Sequence, residues 1–137
     1  MEYEEAIKIL TSQEKFCVKL GLERIEKILS LIGNPQDKLN CIHVAGTNGK
    51  GSVCAIIAKI IQDSGIKTGL YTSPHIFDYT DNGVDVVVLE TGLGGHFDAT
   101  NVIKKNLCSI ITHIDLDHTD RLGKTKSAIA FEKSGII

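Results

Sequence analysis

The sequence lacks an excess of charge of either sign. Fifteen lysine and arginine residues stand against 17 aspartate and glutamate residues, which gives a formal net charge of −2 at pH 7. Domains that bind nucleic acid or an anionic membrane surface usually carry a basic patch. Here Lys104 and Lys105 form only a pair, which a solvated turn explains. The composition therefore predicts neither nucleic acid nor a membrane as a partner.

Long apolar runs and paired cysteines are also missing. No apolar run approaches the roughly 18 residues of a membrane span, and residues 1–5 are acidic where a secretory signal would need a basic region. The four cysteines lie far apart, at Cys17, Cys41, Cys54 and Cys108. Without a C-x-x-C pair, a zinc site or a disulfide framework is not favoured. These absences predict a protein of the reducing cytoplasm.

The apolar pattern predicts strands that alternate with helices. In chain order we expect a helix at 3–10, a helix at 22–32, a strand at 41–44, a helix at 53–61, strands at 68–71, 84–89 and 107–114, and a helix at 126–134. Continuous apolar strands alternating with helices are typical of an α/β fold with a mostly parallel sheet, covered on both faces. The length of 137 residues fits one domain.

A glycine-rich segment, residues 46–52, joins the first strand to the following helix. Its sequence is Gly46-Thr47-Asn48-Gly49-Lys50-Gly51-Ser52. Such a turn directs backbone N–H groups and the positive end of a helix at one point, and a lysine and a hydroxyl complete a cradle for nucleotide phosphates and magnesium. The spacing differs from the common pattern, because a glycine separates the lysine from the serine. We predict a variant phosphate loop; the alternative is a glycine turn with a solvated lysine.

Polar residues follow the other predicted strands, where parallel sheets bind their ligands. Glu90 comes directly after an apolar strand, where nucleotide-hydrolysing folds place a magnesium-binding acid; a salt-bridged or capping glutamate is the alternative. Ser73 could donate a hydroxyl ligand or simply occupy the turn before Pro74. Asp98 could line a substrate pocket or cap a local turn.

Position alone argues less for two other residues. His118 follows the fourth predicted strand and is a candidate ligand or acid–base group, but magnesium prefers oxygen ligands. Lys133 lies late in the last predicted helix, where a lysine commonly complements the helix dipole. From local chemistry, a specific role is not favoured for either residue.

Together these segments resemble the folylpolyglutamate synthase and dihydrofolate synthase family, within the Mur-ligase group. The matching segments lie at 21–25, 43–52, 71–75, 89–90, 92–95, 98–101, 116–119 and 132–136. The inserted Gly51 is itself the form of the loop in the folate branch. Cell-wall ligases of the group typically carry a Thr-Thr or Thr-Ser pair after the lysine, so this loop and the Gly-Leu-Glu-Arg segment at 21–24 argue against that alternative.

The resemblance implies a P-loop-containing Mur-ligase-type central domain and an ATP-dependent ligase. Such an enzyme adds L-glutamate to folates, to dihydropteroate or to both, through an acyl phosphate, with ATP and two magnesium sites. By motif, residues 46–52 hold the phosphates, Ser73 and Glu90 bind one magnesium ion, and His118 helps to bind a second. Lys133 matches a lysine that is carbamylated in the family; with Lys50 and His118 it forms the implied catalytic set. The residues implied to face the pterin or its linker are Leu20, Gly21, Leu22, Phe97, Asp98 and Ala99.

Two departures limit what the resemblance implies. Only seven residues separate Ile76 from Val84, whereas the family has on the order of fifty there. The chain also stops at Ile137, before the family's C-terminal domain. We therefore expect residues 1–137 to form a partial N-terminal ATP-binding domain, monomeric and inactive alone. A non-catalytic nucleotide-binding fragment stays as the alternative from another functional class.

Overall fold

The computed structural model describes residues 21–74 and 83–137. The predicted helix at 3–10, and with it Leu20, lies outside the described residues. The elements are α1 (Glu23–Leu31), β1 (Cys41–Ala45), α2 (Lys50–Asp63), β2 (Thr68–Tyr71), β3 (Val86–Glu90), β4 (Asn106–Ile111) and α3 (Lys126–Ser134). Two short 3₁₀ turns lie at Pro35–Lys38 and Ala99–Val102.

The four strands form a parallel sheet in the order β2-β3-β1-β4. His43 of β1 is in register with Leu89 of β3 on one side and with Ser109 of β4 on the other. Because all neighbours are parallel, the carboxyl ends of the strands lie at one edge. The predicted α/β fold with a parallel sheet flanked by helices is confirmed.

Helix α2 covers one face of the sheet. Its buried Cys54 and Ala58 pack with Val44 of β1 and Val88 of β3 in the main apolar cluster. Side chains alternate along a strand, so His43 faces away from this cluster. On the opposite face its ring contacts Thr100 in the turn Ala99–Val102. Both faces of β1 are therefore covered, which explains why four of its five residues are fully buried.

The predicted apolar face of α1 is only partly covered by described residues. Ile25 and Leu29 are half-buried, whereas Ile28 and Ile32 are 56% and 64% exposed. The helix contacts the turn Ala99–Val102, and none of its residues is fully buried. Contact with this short turn therefore shields only part of the apolar face that the sequence predicts for α1.

The remaining differences from the sequence prediction lie at element ends. Helix α2 begins at Lys50 instead of residue 53, and β4 ends at Ile111 instead of residue 114. β2 and α3 have the predicted bounds. Within the two described ranges, no helix has the length and apolar character needed to cross a membrane.

Candidate functional site

The predicted phosphate loop, residues 46–52, includes the amino end of α2, which begins at Lys50. Gly49 precedes the helix with a φ of 86°, a left-handed conformation that glycine adopts without strain. No side chain caps the helix there, and its first turn contains no acidic residue. The first intrahelical bond runs from Val53 N to Gly49 O. The preceding N–H groups thus lack helical partners, and an anion such as a phosphate fits this end.

The segment after β4 forms a second wall of the loop. Thr47 N donates to His113 O at 2.8 Å, and the Thr47 hydroxyl donates to Asp115 O at 3.0 Å. Thr112 Oγ1 donates to Asn48 O at 2.9 Å. These hydrogen bonds hold the loop backbone against the segment after β4.

Asp115 ties this wall to the start of α3. Its carboxylate accepts a hydrogen bond from Lys126 Nζ at 2.8 Å, and His113 Nε2 lies 3.7 Å from the other oxygen. The bond from Lys126, with one from the backbone N–H of Leu116, lowers the pKa of Asp115 to about 2. The aspartate is therefore ionised at neutral pH. Sequence reasoning gave this residue no role, because its partner lies on another element.

Ser73 and Glu90, predicted to share a magnesium ion, are brought together at the edge of the sheet. Ser73 N donates to Glu90 Oε2 at 3.2 Å. A Cβ atom at Gly51 would lie 3.3 Å from the same oxygen, so this glycine lets the amino end of α2 approach the carboxylate. Glu90 is only 5% exposed, and within the described ranges no ion pair neutralises it.

A magnesium ion fits this arrangement of a buried carboxylate beside a phosphate loop. A buried carboxylate without an opposite charge beside it is costly, and a cation would offset that cost. Among residues 21–74 and 83–137, no three His, Cys, Asp or Glu side chains gather as a metal cluster. Magnesium does not need such a cluster, because it is commonly held by one or two protein oxygens together with substrate phosphates and water.

Lys133 lies inside the site rather than at an exposed helix end. It is 4% exposed, and its Nζ donates to Gly46 O in the phosphate loop at 2.7 Å. Burial, and after it the positive charge of Lys50, lowers the pKa of Lys133. Lys50 itself reaches back over the loop, with Nζ 3.3 Å from Thr47 O. Two lysines therefore flank the same segment of backbone.

His118 lies on the surface of this region. Its backbone has a φ of 45°, and its side chain is 56% exposed. The ring nitrogen Nε2 lies 3.7 Å from Asp117 Oδ1. Within the described part of the chain, no hydrogen bond or ion pair joins His118 to Ser73 or Glu90. The geometry thus brings together the first predicted metal pair but leaves the second metal position open.

Asp98 uses its carboxylate within its own loop. It accepts hydrogen bonds from Leu93 N at 2.8 Å, from Thr100 N at 3.0 Å and from the Thr100 hydroxyl at 2.5 Å. The capping role that the sequence left open is therefore present. The neighbouring Phe97 and Ala99 are exposed, so this loop offers both an ordered carboxylate and accessible surface.

The other predicted substrate residues belong to an adjacent element. Gly21 and Leu22 directly precede α1, the helix that contacts the turn Ala99–Val102. The two candidate substrate segments thus belong to parts of the molecule that touch. Leu20 falls outside the described residues.

His43 is a polar residue that sequence reasoning missed. It is fully buried, and its Nε2 lies 2.8 Å from Thr100 Oγ1 and 3.1 Å from Thr91 Oγ1. Burial lowers the pKa of His43, and the charge of Asp98 opposes this in part. The available signal was a histidine at an alternate position of an otherwise apolar strand.

Comparison with known proteins identifies the family. The model of the Mur ligase middle domain matches residues 44–137. A dihydrofolate synthase/folylpolyglutamate synthase of Bacillus subtilis is 34% identical over an alignment of 188 residues, which covers 98% of this chain and 44% of that protein.

Solved structures agree with the sequence relatives. An FPGS–AMPPCP–folate complex superposes with a TM-score of 0.87 at 32% identity, over 100% of this chain and 46% of that one. Escherichia coli FolC in complex with DHPP and ADP gives 0.81 at 29% identity, over 97% and 43%. The chain spans less than half the length of each of these proteins. The chain belongs to the Mur ligase family, in its folylpolyglutamate synthase/dihydrofolate synthase branch.

Proposed function

We propose that this chain supplies the ATP-binding part of a ligase that joins L-glutamate to a folate, to dihydropteroate or to both. The observation that carries the proposal is the position of Glu90 beside the phosphate loop, with Ser73 N bonded to its carboxylate and Gly51 against the same oxygen. A helix amino end, a lysine and a buried carboxylate together are suited to phosphoryl transfer, which depends on positioning and on charge stabilisation.

The reaction then has two steps. The acceptor carboxylate attacks the γ-phosphorus of ATP, which gives an acyl phosphate and ADP. The amine of glutamate next attacks the acyl carbon, so that an amide forms, phosphate leaves and the amine loses a proton. Lys50 and the N–H groups at the start of α2 stabilise charge on the transferring group. Magnesium, held by Ser73 and Glu90, would neutralise phosphate charge, and we place His118 near a second ion.

Lys133 is proposed to react with carbon dioxide. The unprotonated amine forms an N–C bond to carbon dioxide and loses a proton, which leaves a carbamate with a negative charge. The buried position of Lys133 and its lowered pKa favour the neutral amine that this step requires. One N–H remains on the nitrogen to donate to Gly46 O. A carbon-13 NMR signal that appears with labelled bicarbonate and is absent from Lys133→Arg would test this proposal.

The acceptor is proposed to bind across the two touching segments described above. One segment holds Leu20, Gly21 and Leu22, and the other holds Phe97, Asp98 and Ala99. Related structures support this class of ligand, since they are described as complexes with folate and an ATP analogue, and with DHPP and ADP. The pterin or its linker would contact the exposed side chains of the second segment.

By itself the chain is proposed to bind nucleotide without ligation, as a monomer in the reducing cytoplasm. The alignment with the Bacillus subtilis relative extends over 188 positions, although this chain has 137 residues. That relative therefore carries residues without a counterpart here. Within the described ranges Cys41, Cys54 and Cys108 are free thiols, which agrees with a reducing compartment.

A ligation assay tests the proposed function. Product formation from dihydropteroate or tetrahydrofolate, dependent on ATP and glutamate, would be measured for this chain and for a chimera. The chimera takes from the Bacillus subtilis relative the segment between Ile76 and Val84 and everything after Ile137. We expect activity in the chimera alone. Inactivity of both would refute the ligase, and activity of the short chain would refute the proposal that it is inactive alone.

A further inference from the structure

A chain of polar contacts crosses the buried face of the sheet opposite α2. It starts at His43 in β1, passes through the hydroxyl of Thr100 and ends at the carboxylate of Asp98. His43 and Thr100 are 57 positions apart in the sequence. The contacts therefore connect the strand that leads into the phosphate loop with the loop that we propose to face the acceptor substrate.

The direction of the hydrogen bonds follows from the number of available protons. The single hydroxyl proton of Thr100 is donated to Asp98 Oδ1, so its oxygen can only accept from His43 Nε2. The ring must then carry its proton on Nε2. Its Nδ1 is buried and has no hydrogen-bond partner among the described residues, so a proton on Nδ1 would have no acceptor. His43 is thus a neutral hydrogen-bond donor. We call the two bonds from His43 Nε2 to Thr100 Oγ1 and from Thr100 Oγ1 to Asp98 Oδ1 the relay.

The end of the relay shapes the substrate-side loop. Asp98 Oδ2 accepts from Leu93 N, and Oδ1 accepts from Thr100 N. A Cβ atom at Gly92 would lie 3.2 Å from Asp98 Oδ2 and 3.7 Å from Ser73 Oγ, so the loop and the proposed magnesium ligand approach the same point. A rotation of the Asp98 carboxylate would release both backbone bonds and alter this approach.

We infer that His43 is a positioning residue for the acceptor substrate, because it fixes the Asp98 carboxylate through Thr100 and thereby orders residues 92–98. The inference rests on the proposed function for the identity of the substrate. An apolar side chain would fill a fully buried position without the cost of desolvating an imidazole. The free-energy cost of desolvating His43 is offset here by the hydrogen bond that its Nε2 donates to Thr100 Oγ1, which no apolar side chain can make.

Amide hydrogen exchange in the 137-residue chain tests the relay without substrate. His43→Leu removes the donor, whereas His43→Gln can place an amide N–H near the position of Nε2. We expect His43→Leu to speed exchange of the Leu93 and Thr100 amides by about tenfold and His43→Gln by less than about threefold. The amide of Thr112, bonded to Ala45 O in β1, should change less than about twofold.

Uniform acceleration of all amides would mean a general loss of stability and would overturn the inference. So would unchanged exchange at Leu93 and Thr100. If His43→Leu does not fold, His43→Asn takes its place, because its shorter side chain cannot reach the Thr100 hydroxyl as Nε2 does. Unchanged exchange at Leu93 and Thr100 in that variant would equally overturn the inference.

Steady-state kinetics of the chimera test the link to the substrate. His43→Leu should raise KM for dihydropteroate about tenfold, leave KM for ATP within about twofold and be rescued by His43→Gln. Equal effects on both KM values would overturn the assignment to the acceptor. An inactive wild-type chimera would refute the proposed ligase, and with it the assignment to this substrate, while the exchange data would still decide whether the relay orders the loop.

Discussion

Two glycines of the phosphate loop are required for different physical reasons. A Cβ atom at Gly46 would lie 1.8 Å from Thr112 Oγ1, and this short side chain is held in place by its hydrogen bond to Asn48 O. At Gly49, by contrast, a Cβ atom would meet nothing within 4 Å, and only the φ of 86° disfavours a side chain. Gly46, with a φ of 149°, is therefore needed for both space and conformation, and Gly49 for conformation alone.

Alanine at these two positions should therefore have unequal effects. We expect Gly49→Ala to lower the free energy of unfolding by about 1 to 2 kcal/mol, the cost of a left-handed residue. Gly46→Ala should cost about 3 kcal/mol or more, because overpacking adds to strain. Urea unfolding of both variants measures the difference. Equal losses would show that the contact with Thr112 does not constrain the loop.

The buried imidazole of His43 predicts a pH dependence of stability. Burial lowers the pKa of His43 from its ordinary value of 6.5. Just below pH 6.5 the unfolded chain thus binds a proton that the folded chain does not, and the free energy of unfolding falls as the pH is lowered. The slope for one such group is at most about 1.4 kcal/mol per pH unit.

His43→Gln removes this titration while keeping a polar side chain. The free energy of unfolding would be measured in urea at about pH 7.5 and pH 5.5. It should fall less in the variant than in the wild type, because only the wild type loses the contribution of His43, whereas other titrating groups contribute to both. If both proteins lose the same stability, the imidazole of His43 is not held neutral by the fold.

At the scale of elements, α3 connects the site to the rest of the fold. Thr125 caps this helix through a hydrogen bond from Ala128 N to its Oγ1, at 3.1 Å. The next residue, Lys126, binds Asp115, and Lys133 near the other end binds Gly46. The position of one helix of nine residues therefore affects both the phosphate loop and the segment after β4 beside it.

Loss of the Thr125 cap should weaken this connection by a predictable amount. Thr125→Ala should lower the free energy of unfolding by about 1 kcal/mol, since it leaves a backbone N–H without its acceptor. Thr125→Ser keeps the hydroxyl and should lose less than half as much. Thermal or urea unfolding checks both variants. A loss as large in the serine variant would assign the effect to the methyl group of threonine rather than to the cap.

The sequence predicted elements well where the signal is local. The bounds of β2 and α3 were correct, because apolar patterns and turn residues lie within the segments themselves. The proximity of Ser73 and Glu90 was also predictable, since both follow parallel strands. The start of α2 at Lys50 was missed because glycines around the lysine suggested a loop, whereas Gly49 forms a left-handed cap from which the helix begins.

Contacts between distant segments could not be predicted in this way. Lys133 and Gly46 are 87 positions apart, and their bond depends on where α3 packs, with the backbone of Glu132 and Lys133 against Gly95. The relay from His43 to Asp98 similarly depends on the turn Ala99–Val102 covering one face of β1. Local chemistry alone favoured a helix-dipole role for Lys133. Resemblance to a family, rather than periodicity, pointed to a role in the site.

At the scale of the whole molecule, nucleotide binding and ligation are expected to separate. The described residues hold the phosphate loop between α2 and the segment after β4 by internal hydrogen bonds, so we expect nucleotide binding to need no other domain. The relatives are more than twice as long as the stretch that they share with this chain. We therefore expect the 137-residue chain to bind ADP with magnesium while it forms no amide product.

Stability in the presence of nucleotide measures this separation. A ligand at 100 times its dissociation constant stabilises the folded state by about 2.7 kcal/mol, which raises the Tm. Lys50→Ala should abolish most of that increase, because we propose that its ammonium contacts the phosphates. Its Tm without nucleotide should stay near the wild-type value, since Lys50 makes only one long bond, to Thr47 O at 3.3 Å, among the described residues. If saturating ADP leaves the wild-type Tm unchanged, the loop does not bind nucleotide on its own, and an unchanged increase in the variant would mean that Lys50 does not contact the phosphates.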